Sequence, residues 1–161
     1  MTLLAALASA LVFKDALAEP PPGSHTVLGP NAMLADGSLA LLNGQWEKGI
    51  DLTVMGLKQT VSNEDRAAGY ANLCAAYIAL KQYERALENC DQSLAITDTN
   101  WRAWQNRAAA NLQLGRIDDS MRDLERGLAI NPNAPALQET LAIAREREKL
   151  QRQQLRALVE S

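Results

Sequence analysis

Histidine is almost missing from this chain: among 161 residues it occurs once, at His25. Histidine-dependent catalytic triads and His-rich metal sites are thereby all but excluded. Ser24 beside it has no evident carboxylate partner. Cysteine occurs twice, at Cys74 and Cys90, with no Cys-x-x-Cys pair and no neighbouring histidine. A redox-catalytic pair or a zinc site is therefore a poor reading. An excess of positive charge is also lacking, since the formal net charge is −3. That argues against a nucleic-acid footprint, which needs a concentrated basic face. Aromatic residues make up only 4%, with abundant alanine and leucine, a composition for closely packed helices rather than strands. The glycines are scattered, so no phosphate-cradling loop is present and no cofactor is expected. Acidic pairs such as Asp118-Asp119 begin a helix, where they favour its dipole.

The one marked apolar run is short. It extends from Leu3 to Phe13, broken only by Ser9, and is followed by Lys14, Asp15 and the small-x-small sequence Ala16-Leu17-Ala18. A bilayer span needs about 20 apolar residues, so this order reads instead as a secretory signal peptide over residues 1–18, cleaved after Ala18. It lacks a Lys or Arg ahead of the run. The expected location is periplasmic or secreted, with no membrane span after cleavage. Residues 19–30 hold Pro20, Pro21, Pro22 and Pro30 and form an irregular lead-in.

Beyond the lead-in the chain repeats itself. Tyr70 aligns with Trp104, Leu80 with Leu114, Tyr83 with Ile117, Ala86 with Ser120, Cys90 with Leu124 and Leu94 with Leu128, each pair 34 residues apart. Inside each window the apolar positions follow helical spacing, as in Tyr70, Leu73, Cys74, Tyr77 and Leu80. Gly115 follows Leu114 at the end of one helix, where a left-handed residue closes the turn cheaply. Lys81 holds the equivalent place and should cost a little stability. A weaker upstream copy matches Gly44-Gln45-Trp46-Glu47-Lys48-Gly49-Ile50 to residues 115–121, with three extra residues, Glu64 to Arg66, before the next copy. These should lengthen the turn or the following helix. Small residues, Gly37, Cys74 and Ala108, face Gly49, Ala86 and Ser120 across each pair, where a large side chain would overpack the helices by about 1–3 kcal/mol.

With Tyr70-x-x-Leu73-Cys74-x-x-Tyr77 followed by Ala86, and with Trp104, Ala108, Ser120, Leu124 and Pro132 one period on, the chain resembles the tetratricopeptide repeat family. The resemblance covers about residues 30–133. Arg107 and Asn111 depart from it, standing where Leu and Tyr are usual, and Cys90 replaces an aromatic. It implies an all-α solenoid of three helix-turn-helix repeats, at about 30–63, 67–100 and 101–134, with residues 134–161 as a capping helix. Asn133 can cap that helix and Pro135 fits its first turn; Leu137, Leu141 and Ala144 mark its packed stripe. Leu150, Leu155, Leu158 and Val159 run past the body, as a fraying end or a contact surface.

The resemblance further implies a protein-interaction module whose first helices line a concave groove. Partner-binding residues carried over by alignment are Asn72, Ala75, Ala79, Trp101, Arg102, Gln105, Asn106, Ala109 and Gln113, with Leu34, Ser38, Ala68 and Ala71 beside them. Of the places the family uses to clamp a terminal carboxylate, Asn72 and Arg102 match while Leu34, Ser38 and Asn106 do not, so the clamp is not expected. A protein or peptide partner is expected, and no catalytic activity. A second reading is an assembly protein that associates weakly with itself through its C-terminal helix. Cys74 and Cys90 sit on the inward faces of one helix pair, 16 residues apart. A disulfide worth about 3 kcal/mol and two buried thiols both remain open.

Overall fold

A computed structural model describes residues 31–160. The leader, the proline-rich lead-in and His25 lie outside the described residues. Those described contain seven helices and no strand. They are α1 (Ala32–Leu42), α2 (Trp46–Gln59), α3 (Asn63–Ala79), α4 (Tyr83–Ile96), α5 (Trp101–Gln113), α6 (Ile117–Ile130) and α7 (Pro135–Val159). Consecutive helices pair as α1 with α2, α3 with α4 and α5 with α6, and α7 covers the last pair.

The two kinds of helix start differently. The first member of each pair is capped by a side chain: Asn31 accepts from the Met33 and Leu34 amides, Ser62 from Asp65, and Asn100 from Arg102. These bonds satisfy amides that a helix start leaves without partners. The second members begin after Gln45, Gln82 and Arg116 with no side-chain cap. They follow directly on the turn that ends the first helix. In that turn Gly44, Lys81 and Gly115 take positive φ values of 70°, 58° and 75°. The amide after each reaches back to a helix carbonyl: Gln45 to Ala40, Gln82 to Tyr77 and Arg116 to Asn111. This is the Schellman closure. The residues Glu64 to Arg66 lie in the first turn of α3, which reaches 17 residues against 13 for α5. The cap of α7 differs from expectation: Ala134, not Asn133, is the cap residue, and Pro135 takes the first helical position. Ala134 is pulled into the apolar core, so the chain enters the helix one residue later, and Pro135 needs no donor there.

Small residues set how closely each pair packs. A Cβ placed on Gly37 would meet the Thr53 hydroxyl at 2.5 Å and its backbone nitrogen at 2.9 Å, so only glycine fits between α1 and α2. Ala86, Ala108 and Ser120 are fully buried at the matching places. The core runs along the stack. Leu73, Tyr77, Ile78 and Ala86 fill its middle, and Ala108, Leu112, Leu124, Leu137 and Leu141 fill its C-terminal end.

Candidate groove on the row of first helices

The stack curves, and the contacts show which way. Helix α1 touches α3, α3 touches α5 and α5 touches α7, whereas α2, α4 and α6 do not touch one another. The first helices are therefore the more closely spaced row and lie on the inside of the bend. Their outward faces form the inner surface.

That surface has small side chains on α3 and a polar wall with one cation on α5. On α3, Ala75 is exposed and Ala79 half-buried. On α5, Arg102, Gln105, Asn106 and Gln113 recur at helical spacing and are all half-buried. The Arg102 guanidinium lies over the Trp101 ring, 4.4 Å from its centroid. Trp101 itself packs on the C-terminal core, so the stack holds the cation in place. Burial pushes the Arg102 pKa down from its ordinary value, although an arginine stays charged throughout the physiological range. Its Nε is shielded from solvent and has no hydrogen-bond partner among the described residues.

Of the residues expected to meet a partner, one is buried and two half-buried ones also bond to the neighbouring helix. Ala109 is 4% exposed and belongs to the central core, so it is not part of the groove. It shares that core with Leu73, Tyr77 and Ile78 of α3 and Ala86 of α4. Asn72 donates its side-chain amide to the Ser38 hydroxyl of α1 at 2.8 Å. Asn106 donates in the same way to the Ala71 carbonyl of α3 at 3.4 Å. Both amides tie one first helix to the one before it. Ala75, Ala79, Trp101, Arg102, Gln105 and Gln113 keep accessible surface, as do Asn72 and Asn106.

A second polar cluster lies between the helix rows, and alignment gave only half of it. Arg107 and Asn111, the two departures from the apolar pattern, converge on Asp123 of α6. Arg107 bonds both carboxylate oxygens, at 3.0 and 2.6 Å, and Asn111 donates at 3.1 Å. Arg107 also reaches Asp91 at 2.6 Å and stacks on Trp104 at 4.8 Å. Burial works against the Arg107 cation, but the bonds and charges of Asp123 and Asp91 outweigh it and hold its pKa above the ordinary value. The signal was available: two polar residues at core positions on one turn of helix require a buried acceptor. Asp123 sits at the one place on α6 that supplies it. This network holds helices together, with Asp123 buried at its centre and Asp91 exposed at its edge.

The sulfurs of Cys74 and Cys90 form a disulfide between α3 and α4, both residues fully buried. Among the described residues no three of His, Cys, Asp and Glu gather as metal ligands. No described helix is long and apolar enough to cross a membrane.

Helical hairpins stacked edge to edge, with their first helices inside the curve, define a solenoid repeat protein. The chain belongs to the tetratricopeptide repeat family, whose model matches residues 73–159. Human sperm-associated antigen 1 is 34% identical over 71 residues, which is 44% of this chain but only 8% of that protein. The second tetratricopeptide domain of human RPAP3, solved in complex with the HSP70 peptide SGPTIEEVD, superposes with a TM-score of 0.64 at 22% identity. That match covers 73% of this chain and 98% of the domain. The Hsp90 co-chaperone Cns1 from Saccharomyces cerevisiae gives a TM-score of 0.71 at 20% identity, over 80% of this chain and 42% of Cns1. At these identities the likeness is one of fold.

Proposed function

We propose that this protein is a binding adaptor, not an enzyme, which takes a segment of a partner protein into the groove along α1, α3, α5 and α7. The observation that carries the reading is Arg102. A shielded donor left without an acceptor is costly, and Arg102 stands in the first turn of α5, one of the inner row of helices. An acceptor on a bound segment, a carboxylate or a backbone carbonyl, would satisfy it. The peptide held by the RPAP3 domain is support for a peptide ligand in this fold. The mode of holding differs here. Leu34, Ser38 and Asn106 offer no cationic clamp, and Asn72 and Asn106 spend a donor on the neighbouring helix. The segment is therefore read by Arg102, Gln105 and Gln113 against Ala75 and Ala79, and its chain end is not required.

The test is site-specific photo-crosslinking in cells. A photoreactive residue at Ala75 or Gln113 should trap one common partner, while the same residue at Glu88 on the opposite row should not. Adding Arg102→Ala should sharply reduce the yield at Ala75. Adducts at Glu88 alone, or yields indifferent to Arg102, would overturn the reading.

The proposal extends to location: the chain is exported and loses residues 1–18. The buried Cys74–Cys90 disulfide suits an oxidising compartment. Intact-mass measurement of the mature protein, with and without reductant, checks both. A retained leader or two free thiols would count against export.

A further inference from the structure

In α3 and α5 the residues that meet the preceding helix pair recur at matching places. Gly69 and Ala103 are one such place. A Cβ on Gly69 would meet Leu57 of α2 and Leu34 of α1, and Ala103 packs with Ala71 and Leu94. Ala76 and Ala110 are the next, both buried, and Ala110 lies in the core cluster of α3 and α4. Between them stand Leu73, also buried, and Arg107, which reaches back to Asp91. Allowing for the three extra residues before α3, the same places on α1 are Ala32, Asp36 and Leu39. All three are exposed, Leu39 at 58%. The row that seats each later pair on its neighbour is therefore present on α1 and open.

The row itself restricts what can cover it. Ala76 and Ala110 are small, so two helices can approach there. Leucine at the same place holds a helix off. An extended chain is thinner, about 5 Å across the strand direction against about 10 Å for a helix, and has room to lie beside Leu39. Asp36 needs a hydrogen-bond donor once it is covered. A second copy with its α1 laid antiparallel along this one would bring the two Asp36 carboxylates together, and like charges oppose that pairing.

The chain supplies an occupant of the required kind. Pro30 leads into Asn31, whose side-chain amide donates to the Gly56 carbonyl at 2.8 Å, so the preceding segment starts one residue from Ala32. At about 3.1 Å per residue in the extended form that proline favours, residues 19–29 reach about 34 Å. Helix α1 is only about 16 Å long. Gly29 lets the chain reverse its direction. From Pro20 to Pro30 there is no Asp, Glu, Lys or Arg to bury. Ser24, His25 and Thr26 carry donors for Asp36, and Val27 and Leu28 carry apolar surface for Leu39. A short tether raises the local concentration of such a segment to the millimolar range, so a contact too weak to hold a separate protein is filled from within the chain. We infer that residues 19–30 fold back as an extended segment along Ala32, Asp36 and Leu39 and close the N-terminal end of the stack, as α7 closes the other end.

The test is photo-crosslinking of the purified mature protein, with a photoreactive residue in place of Leu39 and mass spectrometry of the products. The expected product is an intramolecular adduct with residues 19–30. Its yield should exceed by at least about fivefold that from the same residue at Lys58, which is exposed near the end of α2 whose Gly56 carbonyl holds Asn31. Val27→Ser with Leu28→Ser should lower the Leu39 yield by about fivefold or more. Those substitutions lie outside the helical body, and circular dichroism melting confirms that each variant is folded. Equal yields from Leu39 and Lys58 would mean random contact of a tethered chain and would overturn the proposal. So would a yield indifferent to Val27 and Leu28, or adducts that join two molecules. Arg102→Ala leaves this end of the stack intact, so failure here and failure of the groove are separately measurable.

Discussion

Arg107 shows how one side chain can depart from a repeat pattern without breaking the fold. An arginine at an apolar place would ordinarily be expelled or would unfold the pair. Here Asp123, 6% exposed at its side chain, receives two of its bonds and one from Asn111. A carboxylate–guanidinium fork of this kind is strong when made and costly when half removed. Asp123→Ala is expected to lower stability by about 2 kcal/mol, from the loss of hydrogen bonds to charged groups. Arg107→Leu alone should also destabilise, because Asp123 is then left buried. A double-mutant cycle in urea, with Arg107→Leu combined with Asp123→Ala, should show the two losses to be far from additive. Additive losses would mean that the pair is not coupled. The turns supply a cleaner case. Lys81 holds a φ of 58° where Gly44 and Gly115 hold 70° and 75°. Lys81→Gly is expected to gain about 1 kcal/mol by removing a Cβ from left-handed backbone. Gly115→Lys should lose a similar amount.

At the scale of the helix pair, the period of 34 residues was enough to place α3 to α6, since it fixes which residues face one another and where the chain turns. The small residues Ala86 and Ser120 were legible for the same reason: the pattern requires them small, and both are fully buried. Depth was not legible. Alignment puts Ala109 on the same helical face as Gln105 and Gln113, but the distance between neighbouring first helices decides which member of that face meets solvent. That distance depends on residues of both helices. The hydrogen bonds of Asn72 and Asn106 also cross between repeats, so no single repeat announces them. The disulfide acts at this scale as well. It joins α3 to α4 across 16 residues of chain, which in the loop-entropy model contributes about 3 kcal/mol. Urea unfolding in the presence of a strong reductant should lower the midpoint accordingly, with the helical signal before the transition unchanged. Ala86→Leu, in the same pair, is expected to cost about 1–3 kcal/mol, because the overpacked residue has no free space to enter.

The whole molecule is a one-dimensional stack in which each pair rests on its neighbours, so stability depends on how its ends are closed. At the C-terminal end Leu137, Leu141 and Ala144 cover Ala108, Leu112 and Leu124. Removing residues 135–161 would expose that cluster. At about 2 kcal/mol for each large apolar side chain returned to water, the loss approaches the whole stability of a small domain. Such a truncation is expected to aggregate or to melt without cooperativity. Removing only residues 149–161 deletes side chains that are exposed from Lys149 to Glu160, and two weak ion pairs. It should shift the unfolding free energy by no more than about 0.5 kcal/mol. The two truncations together divide α7 into a part the fold needs and a part it does not. If the shorter deletion proved as damaging as the longer one, the projecting turns would belong to the body.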